Sequence, residues 1–293
     1  MTHRCGTVGI VGRPNTGKSS LLNRLLDTVL SSVSPKAQTT RHLIRGIVST
    51  ADCQCIFVDS PGFISKAGSV LHRTLRRRST EAMQTCDVVA FVLEAGRLGP
   101  ADREVLAQIP AGARVIAVVN KIDRLAGSGP LLPFLAQLAA ERDFHAIVPI
   151  SARTGRNLAR LREVLCQALP EGSPAYPADT LTDQDERFFA AELLRGRLFT
   201  TLGQELPYRC EAVIDSFKEE GALRRIEATI LVERDSQKGI VVGAGGAQLK
   251  KIASGARRDL ERLFGGKVYL GVWVKVRKGW TDDERVLRQL GHA

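Results

Sequence analysis

The strongest constraint on the fold is one stretch near the start of the chain, Gly12-Arg13-Pro14-Asn15-Thr16-Gly17-Lys18-Ser19. It follows an apolar run from Thr7 to Val11 and leads through Ser20 into Leu21-Leu22-Asn23-Arg24-Leu25-Leu26, whose apolar residues recur at helical spacing. A buried strand, a glycine-bounded loop and a helix start are the setting a phosphate-binding loop requires. The two glycines let the backbone curl so that successive amide N–H groups point at phosphate oxygens. The positive end of the following helix adds to that attraction. Lys18 reaches toward the β- and γ-phosphates, and the Ser19 hydroxyl is a Mg²⁺ ligand. A tight strand-to-helix turn would match the same pattern, so the reading has to be carried by the rest of the chain.

Strand-like and helix-like stretches alternate over the first 170 residues. Short apolar runs at 6–11, 43–50, 53–59, 88–93, 115–119 and 146–150 read as strands. Amphipathic stretches at 18–27, 71–84, 102–108, 131–142 and 157–168 read as helices. This order predicts an α/β fold with a mostly parallel six-stranded sheet. Ligands of such sheets bind at the carboxyl ends of the strands.

Further motifs fall at those ends. Asp59-Ser60-Pro61-Gly62 closes the apolar run Cys55-Ile56-Phe57-Val58, which places Asp59 to hold the Mg²⁺ shell and Gly62 to offer an N–H to the γ-phosphate. Asn120-Lys121-Ile122-Asp123 closes the fifth strand. The Asp123 carboxylate can accept from both N1–H and the N2 amine of guanine, whereas adenine would leave that charge unpaired. Asn120 can tie neighbouring loops together, and the Lys121 stem can lie against the base. Ser151-Ala152-Arg153, after the sixth strand, would supply a backbone N–H to the guanine O6. Ser34-Pro35-Lys36-Ala37-Gln38-Thr39-Thr40-Arg41 can bring a Thr hydroxyl onto Mg²⁺ only while γ-phosphate is bound, which makes it a switch; Thr40 is the expected ligand and Thr39 the alternative. A second switch is expected over 63–68. Four motifs in this order, each after a strand, specify GTP.

The Arg-Pro-Asn phosphate loop and the Gln-Thr-Thr-Arg switch resemble the Era family of bacterial GTPases. That resemblance implies slow hydrolysis in which Lys18, Thr40 and Gly62 act on the phosphates. Phe63 stands where many GTPases carry a water-orienting Gln, so no side chain there can do that job. Help would come from a partner or a monovalent cation. Asn15 matches the K⁺ ligand of related cation-activated GTPases, although an Asn is also a good loop former. The family pattern has Thr where Ser60 stands.

Charge separates the rest of the chain. The net charge of +11 favours a polyanionic partner. Residues 176–233 carry 7 Lys and Arg against 12 Asp and Glu, whereas 234–280 carry 11 against 3. A basic block beside an acidic one is what a nucleic-acid surface shows. Pro170-Glu171-Gly172-Ser173-Pro174-Ala175-Tyr176-Pro177 interrupts the helical pattern and reads as a semi-rigid boundary. The expected organisation is a nucleotide domain over 1–170, a linker over 171–183 and an α+β domain over 184–293.

In the last part, Thr182-Asp183-Gln184-Asp185 is expected to cap a helix, and 210–217 and 223–232 to form a hairpin through Lys218-Glu219-Glu220-Gly221. Helices at 237–242 and 247–263 flank Gly243-Ala244-Gly245-Gly246. A last strand lies at 268–276 and a closing helix at 281–290. This order, with Gly-x-x-Gly between two helices, resembles a type II KH domain. The resemblance implies that the loop clamps single-stranded RNA, with Lys250, Lys251, Arg257, Arg258, Lys275, Arg277 and Lys278 supplying charge. Ala244-Gly245 stands where many such loops carry a Lys or Arg, so phosphate contact leans on those neighbours. Trp280 is a candidate for base stacking or for packing the closing helix. Resemblance to the Era family continues through Glu205-Leu206-Pro207-Tyr208, Val232-Glu233-Arg234-Asp235 and Gly279-Trp280-Thr281-Asp282-Asp283-Glu284-Arg285. It implies the 3′ end of small-subunit ribosomal RNA as target, assistance to small-subunit assembly, a monomer, and peripheral contact with a membrane. The alternative is a signalling or membrane-associated switch whose KH-like domain docks a protein.

The six cysteines lack metal-site spacing and are expected to be small buried thiols in a reducing cytosol. Met1 to Cys5 passes at once into the first strand, which leaves no room for a leader there. His42, His72 and His145 have no ligand partners at suitable spacing, and Arg76-Arg77-Arg78 reads as a solvated face or as a contact with RNA or the partner domain.

Overall fold

The computed structural model describes residues 2–31, 41–59, 69–125, 127, 129–203 and 205–291. Two compact units are present; the last change of unit falls between Asp183 and Gln184, and residues 30–31 and 69–74, which include the start of the second helix, are grouped with the second unit.

The first unit is a six-stranded sheet in the order β2-β3-β1-β4-β5-β6. Its strands are β1 (Arg4–Val11), β2 (Ile44–Ser49), β3 (Cys53–Asp59), β4 (Val88–Glu94), β5 (Val115–Asn120) and β6 (Ala146–Pro149). Only β2 runs antiparallel, against β3; the other pairs are parallel. The intervening helices are α1 (Lys18–Leu25), α2 (Val70–Thr85), α3 (Pro100–Gln108), α4 (Leu131–Ala139) and α5 (Leu158–Ala168). Helices cover both faces, so β3 is buried along its whole length and reads as one apolar run rather than an alternation. On one face Phe91, Leu93, Val105, Phe134 and Leu138 form a continuous core. The carboxyl ends of β1, β3 and β5 converge on one edge, which is where the motifs sit.

Cys53 and Cys166 are disulfide-bonded, with Cα atoms 6.0 Å apart, which differs from the expectation of free thiols throughout. The pair is separated by 113 residues, so only the packing of α5 on β3 brings it together. Cys5, Cys55, Cys86 and Cys210 are free.

Residues 170–183 run along the first unit rather than away from it. Cys5 N–H donates to Pro170 O at 3.1 Å and Gly172 N–H to His3 O at 3.0 Å. The Gln54 amide, fully buried, accepts from Ala175 N–H and Tyr176 N–H and donates to Tyr176 O. On the outer edge of β2, Ile47 N–H donates to Leu181 O at 2.8 Å, and Arg45 pairs with Asp183 at 2.7 Å. These bonds satisfy donors that an edge strand would otherwise expose.

The second unit is a three-stranded sheet in the order β7-β8-β9, from Glu211–Glu220, Leu223–Val232 and Lys267–Val276. β7 and β8 are antiparallel, while β8 and β9 are parallel. A parallel pair needs a crossover, and α7 (Asp235–Val242) with α8 (Ala247–Phe264) supplies it. The hairpin turn is tighter than expected. Lys218, Glu219 and Glu220 pair with Arg225, Arg224 and Leu223, leaving Gly221-Ala222 as the loop, with Gly221 at φ 61°. α6 (Glu186–Thr201) begins where expected, its Asp185 carboxylate accepting from Phe188 N–H at 2.7 Å. α6 and α8 approach closely at Gly255, where a Cβ would meet Arg197 Cδ at 3.1 Å. The closing helix, α9 (Glu284–Gln289), is shorter than expected because Trp280–Asp282 form a 3₁₀ turn and Asp283 then caps the helix.

Candidate functional site

In the nucleotide site the loop is held from three directions. Gly17, at φ 99°, adopts a backbone that a side chain would strain, and a Cβ there would stand 2.3 Å from Asn120 Nδ2. That close approach lets Asn120 Nδ2 donate to Thr16 O at 2.9 Å. Asn120 Oδ1 accepts from Lys121 N–H at 2.8 Å and Ala152 N–H at 3.0 Å. One amide thus joins the phosphate loop, Lys121 and the loop after β6, the tie anticipated for Asn120. Thr16 is buried with its hydroxyl on Arg13 O at 3.1 Å, and Pro14 and Asn15 form the turn, Asn15 at φ 64°.

Lys18 lies almost wholly buried, its ammonium on Gly12 O and Arg13 O at 3.0 Å each. Burial lowers its pKa to about 8, against the opposing pull of Asp59. The cation is therefore held in the concavity, under-solvated, where phosphate oxygens would lie. Ser20, one residue on, lies on α1 with its side chain partly exposed.

Ser19 Oγ donates to Asp59 Oδ2 at 2.9 Å, and Asp59 is fully buried at the end of β3. A hydroxyl oxygen and a carboxylate side by side at a phosphate loop are the hard-oxygen donors Mg²⁺ takes when phosphates and waters complete its shell, so the residues present fit that ion. Among the described residues no cluster of three or more His, Cys, Asp or Glu could hold a metal by itself.

Asp123 is aimed by two donors, Ser151 Oγ at 2.6 Å and Arg153 Nε at 2.9 Å. The Ser151 hydroxyl, helped by the Arg153 charge, holds the carboxyl below the usual range, so it stays an acceptor for paired N–H groups. The loop after β6 thereby orients the Asp123 carboxylate through Ser151, a contact the sequence did not announce. Its Ser151 and Ala152 N–H groups donate to Arg156 O and Asn120 Oδ1. Ile122 is buried, with its N–H on Ile150 O at 3.2 Å.

Sequence reasoning missed the acids beneath the loop. Arg13 Nε donates one N–H that forks between the two Asp102 oxygens, at 3.0 and 3.2 Å, and Nη2 reaches Glu94 at 3.4 Å. Lys121 Nζ bridges Glu94, at 2.9 Å, and Asn15 O, at 2.7 Å. Asp102 also accepts from Gly99 N–H, closing the first turn of α3. Gly-Pro followed by an acid in a first helical turn is the signal that could have found Asp102. Glu94, at the end of β4, carried the strand-end position that marks Asp59 and Asn120. Thr39, Thr40, Ser60, Pro61, Gly62 and Phe63, with both expected switches up to Gly68, lie outside the described residues apart from Arg41.

In the second unit the Gly243–Gly246 loop joins α7 to α8. Gly246 sits at φ 81° with open space where a Cβ would be, so backbone and a phosphate can approach there. Ala244 and Gly245 are exposed, as is Ile240 beside them. Lys250, Lys251, Arg257 and Arg258 are exposed along α8, and Lys275, Arg277 and Lys278 at the end of β9. Farther along α8 from that loop, a cleft of 570 Å³ between α8 and β9 is lined by Leu223, Ala253, Val268 and Leu270, with Ser254, Arg257, Glu261, Lys267 and Tyr269 around them. Its floor is apolar and its rim sets Arg257 and Lys267 against Glu261, so bases and phosphates can be met together there. Trp280 takes the packing role: it is fully buried, with Nε1 donating to Arg209 O at 3.3 Å.

A phosphate loop, a guanine-reading carboxylate and a Gly-x-x-Gly helical pair on one chain define a P-loop GTPase joined to a KH domain. Comparison with known proteins agrees. Residues 7–121 match the family of 50S ribosome-binding GTPases, and 205–281 match the KH domain family. The chain is 49% identical to the GTPase Era of Nitrosomonas eutropha, over 99% of this chain and 98% of that one. It is 46% identical to the GTPase Era of Chromobacterium violaceum, over 98% and 97%. Among solved structures it resembles a variant of Aquifex aeolicus Era bound to GDP and AlF₄⁻, with TM-score 0.95 and 35% identity over 99% of both chains. It also resembles Era in complex with MgGDPNP and nucleotides 1506–1542 of 16S ribosomal RNA, with TM-score 0.93 and 35% identity over 99% of both chains. The chain belongs to the Era family of GTPases.

Proposed function

We propose that this GTPase binds single-stranded small-subunit ribosomal RNA, at its 3′ end, and assists maturation of the small subunit in a nucleotide-dependent manner. The observation that carries the reading is the pairing, on one chain, of a phosphate loop and an oriented Asp123 with a Gly-x-x-Gly loop and, farther along α8, a cleft rimmed by Arg257 and Lys267. The solved Era complex that contains both a GTP analogue and 16S ribosomal RNA supports the same pairing of ligands.

In this reading Lys18 and the loop amides bind the β- and γ-phosphates and Asp123 selects guanine. Mg²⁺, when bound through Ser19 and near Asp59, neutralises charge on the transferred phosphoryl group. Thr40 and the Gly62 N–H contact the γ-phosphate side and are released with hydrolysis, which changes how the RNA cleft is presented. Asn15 serves as a K⁺ ligand that compensates for Phe63. The protein works as a monomer in the cytoplasm, and its basic surface supports peripheral contact with an anionic membrane. No described helix is long and apolar enough to cross one.

Crosslinking of the full chain in GTP-analogue, GDP and nucleotide-free states, with the captured RNA sequenced, tests the assignment. Enrichment of the 3′ end of the small-subunit RNA in a nucleotide-dependent manner is expected; capture of other RNA, or none, contradicts it. Faster hydrolysis in KCl than in NaCl is expected of the Asn15 role, and equal rates would remove it.

A further inference from the structure

The outer face of β9, opposite α7 and α8 and bordered by α9 at its Lys275 end, carries a feature that the cleft between α8 and β9 explains only in part. Along this edge strand Val268 and Val274 point into the core, while Lys267, Tyr269, Trp273 and Lys275 are exposed on the other face. Tyr269 is 44% and Trp273 49% exposed, two of the few large apolar side chains left open among the described residues. The Trp273 ring lies flat along the strand, since a Cβ on Gly271 would stand 2.9 Å from its Cη2. The Arg225 guanidinium, on β8, stacks 4.7 Å from the Tyr269 ring centroid. Shielding of Gly271 explains the pose of Trp273 but not the open Tyr269 with a cation stacked on it.

The surroundings select the occupant. Lys267 and Lys275 flank the aromatics on the same face, and Lys218 and Arg225 lie on the neighbouring strands; against these four, Glu220, Glu227 and Asp215 are the opposing acids, Glu227 with Oε2 3.0 Å from where a Cβ on Gly271 would stand. The balance is basic. Tyr269 and Lys267 also line the cleft between α8 and β9, so a chain leaving the cleft over the edge of β9 meets them first. Aromatic faces spaced along a strand between lysines are a stacking platform for unpaired bases. At about 3.3 Å per residue the two rings are rooted roughly 13 Å apart, room for successive bases.

We propose that the outer face of β9 is a second single-stranded RNA surface, continuous with the cleft, on which Tyr269 and Trp273 stack bases while Lys267 and Lys275 meet phosphates. It rests on the reading of this unit as an RNA binder. A Gly-x-x-Gly loop clamps about four nucleotides; this face takes the next ones along the strand.

The two tryptophans of the chain differ in a useful way, Trp280 being buried and Trp273 open. Tryptophan emission of the full chain is monitored during titration with a 12-nucleotide segment of the small-subunit RNA 3′ end and, separately, with its tiled four-nucleotide windows. The 12-mer is expected to quench emission, and Trp273→Phe to abolish quenching while affinity stays within about twofold. Tyr269→Ala and Trp273→Ala should each weaken the 12-mer by about tenfold, in line with one lost stack, and leave the best four-nucleotide window unchanged. Unchanged emission at saturation, or full 12-mer affinity in Tyr269→Ala, overturns the proposal while leaving RNA binding by the cleft intact. Binding of neither oligomer by the unsubstituted chain overturns the RNA reading and this surface with it.

Discussion

Lys18 and Asp123 are opposite cases of one rule, that a site sets the charge its ligand needs. Burial lowers the Lys18 pKa from 10.5 to about 8, so the ammonium form is disfavoured in the folded loop below pH 8 and the penalty is relieved as pH rises through 8 toward 10.5. Phosphate binding favours the ammonium and restores the proton. Nucleotide binding should therefore take up protons near pH 8.5, and GDP affinity should fall by about tenfold per pH unit above the Lys18 pKa. Calorimetry at pH 8.5 in two buffers of different ionisation enthalpy reads the uptake; heats independent of buffer would contradict it. Asp123 is held ionised by Ser151 and Arg153. Asp123→Asn should weaken GTP by about a hundredfold and gain xanthosine triphosphate, which offers a carbonyl where guanine offers an amine. Competition binding with the two nucleotides checks this. Both residues stand in contiguous motifs, because phosphate and guanine chemistry demands particular side chains within a few consecutive positions. The exposure of Trp273 and Trp280 was not legible in that way, because burial depends on which face of which element meets the core. Sequence singled out Trp280 for stacking or packing; it is the one enclosed, and Trp273 is the one exposed.

At the level of elements, the strands and helices announced themselves through apolar runs and helical periodicity, and most bounds agree to within a few residues. The ties between elements were not legible, because they join residues far apart in the chain. Asp102 is the clearest example. It caps α3 through Gly99 N–H and holds Arg13 of the phosphate loop from a position that is 1% exposed. Asp102→Ala would leave a partly buried guanidinium facing only Glu94, at a cost of about 3 kcal/mol. Urea unfolding with and without GDP measures it, and the loss should shrink little when GDP is present, since the tie lies beneath the loop rather than on the ligand. A change below about 0.5 kcal/mol would show that the fork is dispensable. The Cys53–Cys166 bond joins β3 to α5 in the same hidden way. Thiol titration of the unfolded chain without reductant should count the four free cysteines, and all six after reduction. Six in both conditions would exclude the bond.

For the whole molecule, two binding sites on one chain become a switch only if they are coupled, and coupling is a free energy that both ligands must feel equally. The fold class and the family were readable from motifs, since each motif carries its chemistry in consecutive residues. Coupling was not readable, because it depends on how the nucleotide loops respond to the γ-phosphate. The most direct measurement is the affinity of the full chain for a small-subunit 3′-end oligonucleotide in the GDPNP and GDP forms, with nucleotide affinity measured in return with and without the oligonucleotide. A GTP-regulated RNA binder requires the two RNA affinities to differ by about fivefold or more, and the nucleotide preference to shift by the same factor. Equal RNA affinity in both nucleotide states would mean that the GTPase site and the RNA surface act independently.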